Sequence, residues 1–127
     1  MRVFIKVLIL IHLFLLSCTN QVKEVEILKK EYDFGKSFYG DTISYKFFIK
    51  NLYDIPYKID AVGESCGCTK SIYTKNQVSK GEFAEIEVEY IPLLEEVGTT
   101  VSKSIVVSDN SSKGFQVFYI LGEIIQK

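Results

Sequence analysis

The stretch Ala84-Glu85-Ile86-Glu87-Val88-Glu89-Tyr90 alternates apolar and acidic residues without a break. A period of two is that of a β-strand, in which successive side chains point to opposite faces of a sheet. One face of this strand is therefore suited to a core, and the other carries three glutamates. We expect the glutamates to form a solvated face that also discourages pairing at a sheet edge. They do not converge on one point as the oxygen ligands of a calcium ion do.

Two further stretches each carry an apolar row at every second residue. Their apolar rows are Ile43, Tyr45, Phe47 and Ile49 in one stretch, and Phe115, Val117, Tyr119 and Leu121 in the other. Residues 57–62 and 101–108 are weaker strand candidates rich in β-branched side chains. Residues 93–97 suit a single helical turn within a loop.

Turn-forming residues separate these runs, at Gly40-Asp41, 51–56, Lys80-Gly81 and 109–114. About seven short strands in roughly 100 residues are typical of two packed sheets. We therefore predict an all-β fold, an Ig-like antiparallel β-sandwich of about seven strands, over residues 25–127.

The N-terminus has the composition of a secretory signal. Arg2 and Lys6 precede a ten-residue apolar run, 7–16, that is interrupted only by His12. Such a run is too short for a transmembrane helix, which needs about 20 residues. We predict a signal peptide over residues 1–17.

The signal ends in Leu15-Leu16-Ser17-Cys18, which resembles the lipobox of bacterial lipoproteins. The resemblance implies cleavage before Cys18 and attachment of acyl chains to this cysteine. Two or three acyl chains anchor a protein stably, whereas one holds it only marginally. Residues 18–24 then form a lipidated tether. Thr19, rather than Asp, at the next position favours the outer membrane by analogy with enterobacterial sorting.

Composition argues against several functions. The chain has 15 basic and 16 acidic residues, so a nucleic-acid partner is not expected. His12 is the single histidine, and its removal with the signal would leave no Ser-His or Cys-His nucleophile and no His-ligated zinc. We expect no catalytic residues, no resident metal and no cofactor.

Cys66 and Cys68 are the two cysteines that remain beside Cys18. The pair permits three interpretations: small apolar residues buried by packing, a disulfide formed in an oxidising compartment, or two thiolates that bind Cu(I). Side chains two positions apart on an extended strand share a face but stand too far apart for a disulfide, which needs Cβ atoms about 3.5–4.5 Å apart. Gly67 could allow the sharp turn that closes this gap.

Several short motifs follow one another in a recognisable order. They are Tyr32-Asp33-Phe34-Gly35, Gly40, Phe48-Ile49-Lys50-Asn51, Pro56 to Ile59, Ser65-Cys66-Gly67-Cys68-Thr69, Gly81-Glu82, Ile86-Glu87-Val88, Ser108-Asp109-Asn110 and Gly122. In this order the domain resembles a bacterial family of unknown function, numbered fifteen-seventy-three. Lys70 and Lys80 stand where proline is common in that family.

The resemblance implies an Ig-like sandwich, often carried on lipoproteins, and supplies no substrate. We therefore expect a membrane-anchored, non-enzymatic binding or structural module at the cell envelope, with a protein or glycan partner. The alternative is a periplasmic thiol or Cu(I)-handling protein that uses Cys66 and Cys68.

Overall fold

A computed structural model describes Met1 and residues 24–127. Apart from Met1, the predicted signal peptide (1–17) lies outside the described residues, as does Cys18. Glu24 is the only described residue of the predicted tether. Among the residues described, no helix has the length and apolar character needed to cross a bilayer.

Residues 24–127 form eight strands and one turn of 3₁₀-helix. The strands are β1 (Val25–Ile27), β2 (Glu31–Phe38), β3 (Ile43–Asn51), β4 (Ile59–Glu64), β5 (Thr69–Tyr73), β6 (Phe83–Tyr90), β7 (Thr100–Asp109) and β8 (Phe115–Ile125). The 3₁₀ turn, Leu94–Glu96, lies between β6 and β7, within the segment for which the sequence suggested a helical turn.

The strands form two four-stranded sheets packed face to face. The first sheet has the order β1-β3-β6-β5, and the second has the order β2-β8-β7-β4. The predicted all-β sandwich is confirmed. The pairing differs in one respect, because β2 runs parallel to β8 and the second sheet is therefore mixed.

The core lies between β3 and β6 of the first sheet and β7 and β8 of the second. Its largest buried side chains include Phe47, Ile86, Tyr90, Ile105 and Phe118. The rings of Phe47 and Phe118 meet across the two sheets, with their centroids 4.8 Å apart. Each such side chain contributes about 1.5–3 kcal/mol when fully buried.

The apolar rows predicted for β3 and β6 face this core, but the row predicted for β8 is wrong. Phe115 is 44% exposed, while Phe118, Ile120 and Ile124 are buried. Both rows of β8 are apolar, so alternation alone could not decide which of them faces inward. Register decides it, because Phe118 is paired with buried Ile105 of β7.

The glutamates of β6 do not protect an edge, contrary to the expectation from the sequence. β6 is central, with β3 on one side and β5 on the other. Glu85 and Glu87 lie on the outer face, where Lys46 of β3 pairs with both at 2.6 and 3.6 Å. The acidic row is therefore a partly neutralised outer face.

A bulge in β2 explains the Tyr-Asp-Phe-Gly motif. The register with β8 shifts between Asp33 and Lys36, and Gly35 has a φ of +71°, which favours glycine. The Asp33 carboxylate accepts the Gly35 N–H at 2.8 Å. The Phe34 ring then lies directly over Gly122 of β8, in the space that a Cβ at residue 122 would occupy.

Gly122→Ala should therefore lower the free energy of unfolding by about 1–3 kcal/mol, because its methyl group overpacks against the Phe34 ring. Urea unfolding measures this change. Gly63→Ala is the matched control, since a Cβ at this strand glycine meets nothing within 4 Å. In the Gly122→Ala background, Phe34→Leu should recover part of the lost free energy of unfolding. If the effects of the two substitutions on this free energy were strictly additive, the contact between the two residues would be contradicted.

Candidate functional site

The Cys66-Gly67-Cys68 turn lies where the chain crosses between the two sheets. β4 is an edge strand of the second sheet, β5 is an edge strand of the first, and the turn joins them. The two cysteines form a disulfide, with their Cα atoms 5.3 Å apart. Both are partly exposed rather than buried. The bonded pair therefore sits on a turn at one end of the sandwich.

Hydrogen bonds hold both sides of this turn. The Thr69 N–H donates to the Cys66 carbonyl at 3.3 Å, and the Thr69 hydroxyl lies 3.4 Å from the Cys66 sulfur. On the other side, the Ser65 N–H donates to the Ser104 carbonyl at 3.1 Å. The Ser104 N–H donates in return to the Ser65 hydroxyl at 3.2 Å. The Ser-Cys-Gly-Cys-Thr motif is thus a pinned turn between β4 and β5.

This geometry bears differently on the three interpretations of the cysteine pair. Burial of both cysteines in the core is wrong, because they are only partly buried, although Cys68 packs against the core. A Cu(I) site would require reduction of the bond, since the ligands are thiolates. Among the residues described, no group of three or more His, Cys, Asp or Glu side chains is arranged to hold a metal ion.

The glycine of the turn does not need left-handed backbone. Gly67 is absent from the positive-φ glycines, and a Cβ there would meet nothing within 4 Å. The turn at Gly67 therefore closes the gap between the two cysteines without left-handed backbone. A disulfide closing so short a loop contributes only about 1.6 kcal/mol in the chain-entropy model, so packing and hydrogen bonds dominate the local stability.

A charged cluster supports the loop beside this turn. The Glu96 carboxylate accepts hydrogen bonds from the Tyr90 hydroxyl at 2.6 Å, the Leu93 N–H at 2.8 Å and the Lys103 ammonium. Burial alone would raise the pKa of Glu96, but these hydrogen bonds outweigh it and hold the pKa below its ordinary value. Burial and then the bond to Glu96 raise the pKa of Tyr90. The cluster fixes the 3₁₀ turn against β6 and β7.

A second polar network lies at the opposite end of the sandwich. Buried Asp109 accepts hydrogen bonds from the Tyr57 hydroxyl at 2.8 Å and the Gln116 amide at 3.2 Å. Burial raises the pKa of Tyr57, and the bond to Asp109 raises it further, so the phenol stays a donor. Buried Asn51 donates to the carbonyls of Ile55 and Val78 at 3.0 and 3.1 Å.

These bonds account for the asparagine and Ser-Asp-Asn motifs. Asn110 accepts the Lys58 N–H at 2.8 Å and donates to the Pro56 carbonyl at 2.9 Å. The motif side chains therefore hold loops in place. A cavity of about 270 Å³ lies beside them, lined in part by Glu24 and Tyr53. The motifs were identified from the sequence, but their hydrogen bonds to one another and to the loops were not predicted. The one sequence feature that indicates these bonds is the position of the polar residues, directly at the ends of strands.

The disulfide end also exposes apolar side chains on its loops. Tyr39 follows β2, and Ile91, Leu93 and Leu94 follow β6; they are 51%, 43%, 38% and 65% exposed. Glu24, which leads back towards Cys18, lies at the other end, because β1 begins opposite Asn51. β3 spans the sandwich, and its eight steps of about 3.3 Å separate the two ends by roughly 26 Å.

Similar folds occur in solved structures of low sequence identity. A protein of unknown function from Porphyromonas gingivalis W83 matches with a TM-score of 0.67 and 13% identity, covering 84% of this chain and 51% of that one. The chain thus spans about half the length of the Porphyromonas protein. The ASH/PapD-like domain 7 of human CEP192 matches with a TM-score of 0.63 and 12% identity, covering 87% and 97%.

A third structure, the Vibrio cholerae VesB protease, matches with a TM-score of 0.61 and 13% identity, covering 90% of this chain and 34% of that one. At these identities the likeness shows the fold alone. No curated protein has significant sequence similarity to the chain. The model of one family, described as protein of unknown function DUF1573, matches residues 25–124. The resemblance read from the motifs is confirmed, and the chain belongs to this family.

Proposed function

We propose that the chain is a membrane-anchored lipoprotein whose Ig-like domain is a non-enzymatic binding or structural module at the cell envelope. The main support for a binding role is that Tyr39, Ile91, Leu93 and Leu94 are exposed at the end that bears the disulfide. Apolar side chains exposed on the loops at one end of a sandwich are candidates for contact with a partner. The polar motif residues, in contrast, are engaged in bonds within the fold.

The proposed anchor gives this end an orientation. Glu24 lies six positions after Cys18, a reach of at most roughly 20 Å in an extended chain. The end that contains Asn51 and Glu24 would then lie near the bilayer. The end that contains the disulfide would project away from it, where an envelope partner has access. The outer membrane is the favoured location, on the basis of Thr19.

We predict that the processed protein begins at Cys18 and carries acyl chains on this residue. Mass spectrometry of the N-terminal peptide from the full chain, expressed in its own cell type, measures both properties. The Cys18→Ala variant should retain residues 1–17 and carry no added acyl mass, because the cysteine sulfur is modified before the signal peptide is cleaved. Ser17→Ala is the matched control and should be processed normally, since alanine is also small. A processed chain that begins elsewhere, or lacks acyl mass, would rule out the anchor.

The binding role is tested in the same cells by chemical crosslinking of the full-length protein to its neighbours. Leu94→Lys should remove the specific crosslinks, because the charge interrupts the exposed apolar end. Ile55→Lys is the matched control, since Ile55 is 60% exposed at the opposite end. Crosslinks that persist in Leu94→Lys and disappear in Ile55→Lys would place the contact at the end that contains Glu24 and would contradict the proposal.

A second candidate function is thiol–disulfide exchange, favoured by the partly exposed bonded sulfurs of Cys66 and Cys68. In this reaction an incoming thiolate attacks one sulfur and forms a mixed disulfide, and the other sulfur leaves as a thiolate. A second thiolate from the same reductant then breaks the mixed disulfide. The reductant becomes oxidised, and both cysteines become thiols.

If the pair acts in exchange, glutathione should reduce it in the folded protein, and alkylation should then label both cysteines without denaturant. Mass spectrometry counts the labels, and Cu(I) titration of the reduced form tests the metal alternative. Thr69→Val should change the reduction rate while leaving the fold intact, because its hydroxyl contacts the Cys66 sulfur. A bond that is reduced only after the protein unfolds would exclude this candidate.

A further inference from the structure

β5 presents an unpaired strand edge. It is the last strand of the first sheet and, among the described residues, pairs only with β6. The Ile91 N–H donates to the Cys68 carbonyl, and the Thr74 N–H donates to the Glu85 carbonyl, each at 3.0 Å. In an antiparallel pair, backbone groups of alternate residues face the partner strand. The even-numbered residues of β5 therefore face β6, and the odd-numbered residues face outward.

The outward-facing backbone groups belong to Thr69, Ser71 and Tyr73. The Thr69 N–H is used within the cysteine turn, where it donates to Cys66. Within the described part of the chain, the backbone groups of Ser71 and Tyr73 on this side have no strand partner. They recur every second residue, about 6.6 Å apart, which is the spacing that another polypeptide strand matches.

The other three edges are less suited to pairing. β1 has only three residues. β2 is interrupted by the bulge at Gly35, and the register of β4 shifts between Ile59 and Ala61. Such short or irregular edges resist the addition of a strand. β5, in contrast, keeps one continuous register over all five residues.

A groove of about 430 Å³ lies along β5 and is lined by residues of β5, of the neighbouring β6 and of the end of β4. Ser71 lines it, and its hydroxyl is the buried side-chain oxygen without a hydrogen-bond partner among the described residues. Ile72 lines the outer side and is 73% exposed. An added strand could thus place one side chain beside Ser71 and the next beside Ile72.

The charge of the groove indicates the kind of strand. Its lining contains the carboxylates of Glu64, Glu87 and Glu89 and one ammonium, that of Lys70. Lys46 partly neutralises Glu87 at 3.6 Å, whereas no ion pair within 4.0 Å involves Glu64 or Glu89 among the residues described. Glu64 lies opposite buried Ile105 in the register, so it is on the side of β4 that faces the groove.

We propose that the β5 edge binds an extended segment of another polypeptide by strand addition, with basic side chains facing Glu64 and apolar side chains beside Ile72. The inference rests on the binding role proposed above and specifies its partner. A second copy of this chain is the less suitable occupant, because its groove is lined by the same three glutamates and adds acidic rather than opposite charge. A strand of alternating basic and apolar residues supplies the opposite charge.

The test uses the purified lipoprotein in detergent micelles and synthetic peptides of eight residues. A peptide of alternating lysine and valine should bind and shift the amide resonances of Ser71 and Tyr73. The peptide with glutamate in place of lysine should bind at least about tenfold more weakly at low salt. Two further peptides carry methyl groups on the backbone nitrogens of either the odd-numbered or the even-numbered residues. One of these peptides should not bind and the other should, because a strand presents the N–H groups of alternate residues to its neighbour.

Two protein variants give the complementary test. Ser71→Pro removes an outward N–H and keeps the ladder to β6, so it should weaken binding at least about tenfold. Ser71→Ala keeps this N–H and should bind within about threefold of the parent protein. If the proline variant does not fold, the methylated peptides still decide the question from the ligand side.

The proposal would be overturned if both methylated peptides bound as well as the parent peptide. It would also be overturned if the amide resonance shifts were confined to Phe115 and Val117 on the other sheet. Self-association that Ser71→Pro abolishes would identify a second copy as the occupant and would also overturn it. The assay does not depend on the anchor, so Cys18→Ala protein should bind equally well. If the peptides fail while crosslinking still depends on Leu94, only the strand-addition inference fails.

Discussion

Two open sheets must satisfy the backbone hydrogen bonds of their strands, and this requirement shapes the whole domain. Each sheet needs its central strands to bury an apolar face, and each leaves two edge strands with unpaired groups. The chain shortens one edge, at β1, and makes two others irregular, at β2 and β4. The turn of Cys66 and Cys68 then leads directly into the fourth edge, β5, which stays regular.

The sequence predicted the sandwich correctly because β3 and β6 each have one apolar row and one polar row. It failed for β8, where Val117 and Tyr119 are as apolar as their buried neighbours Phe118 and Ile120. The parallel pairing of β2 with β8 joins residues about 88 positions apart, as between Glu31 and Tyr119. No local pattern encodes such a pairing.

The candidate site was predicted only in outline. Sequence spacing identified Cys66 and Cys68 and left three interpretations open, because the turn that joins them depends on contacts with Ser104 of β7. The exposed edge of β5 was not predicted, since an edge is defined by the order of strands rather than by their residues. The acidic row of β6 was assigned to an edge for the same reason.

Strand addition requires the outward half of β5 to be unpaired in solution. Hydrogen–deuterium exchange of the isolated protein, resolved by residue, tests it most directly. The Ser71 and Tyr73 amides should exchange rapidly, whereas the Ile72 and Thr74 amides, which face β6, should be protected. Equal protection of all four amides would show that the edge is already covered and would contradict the account.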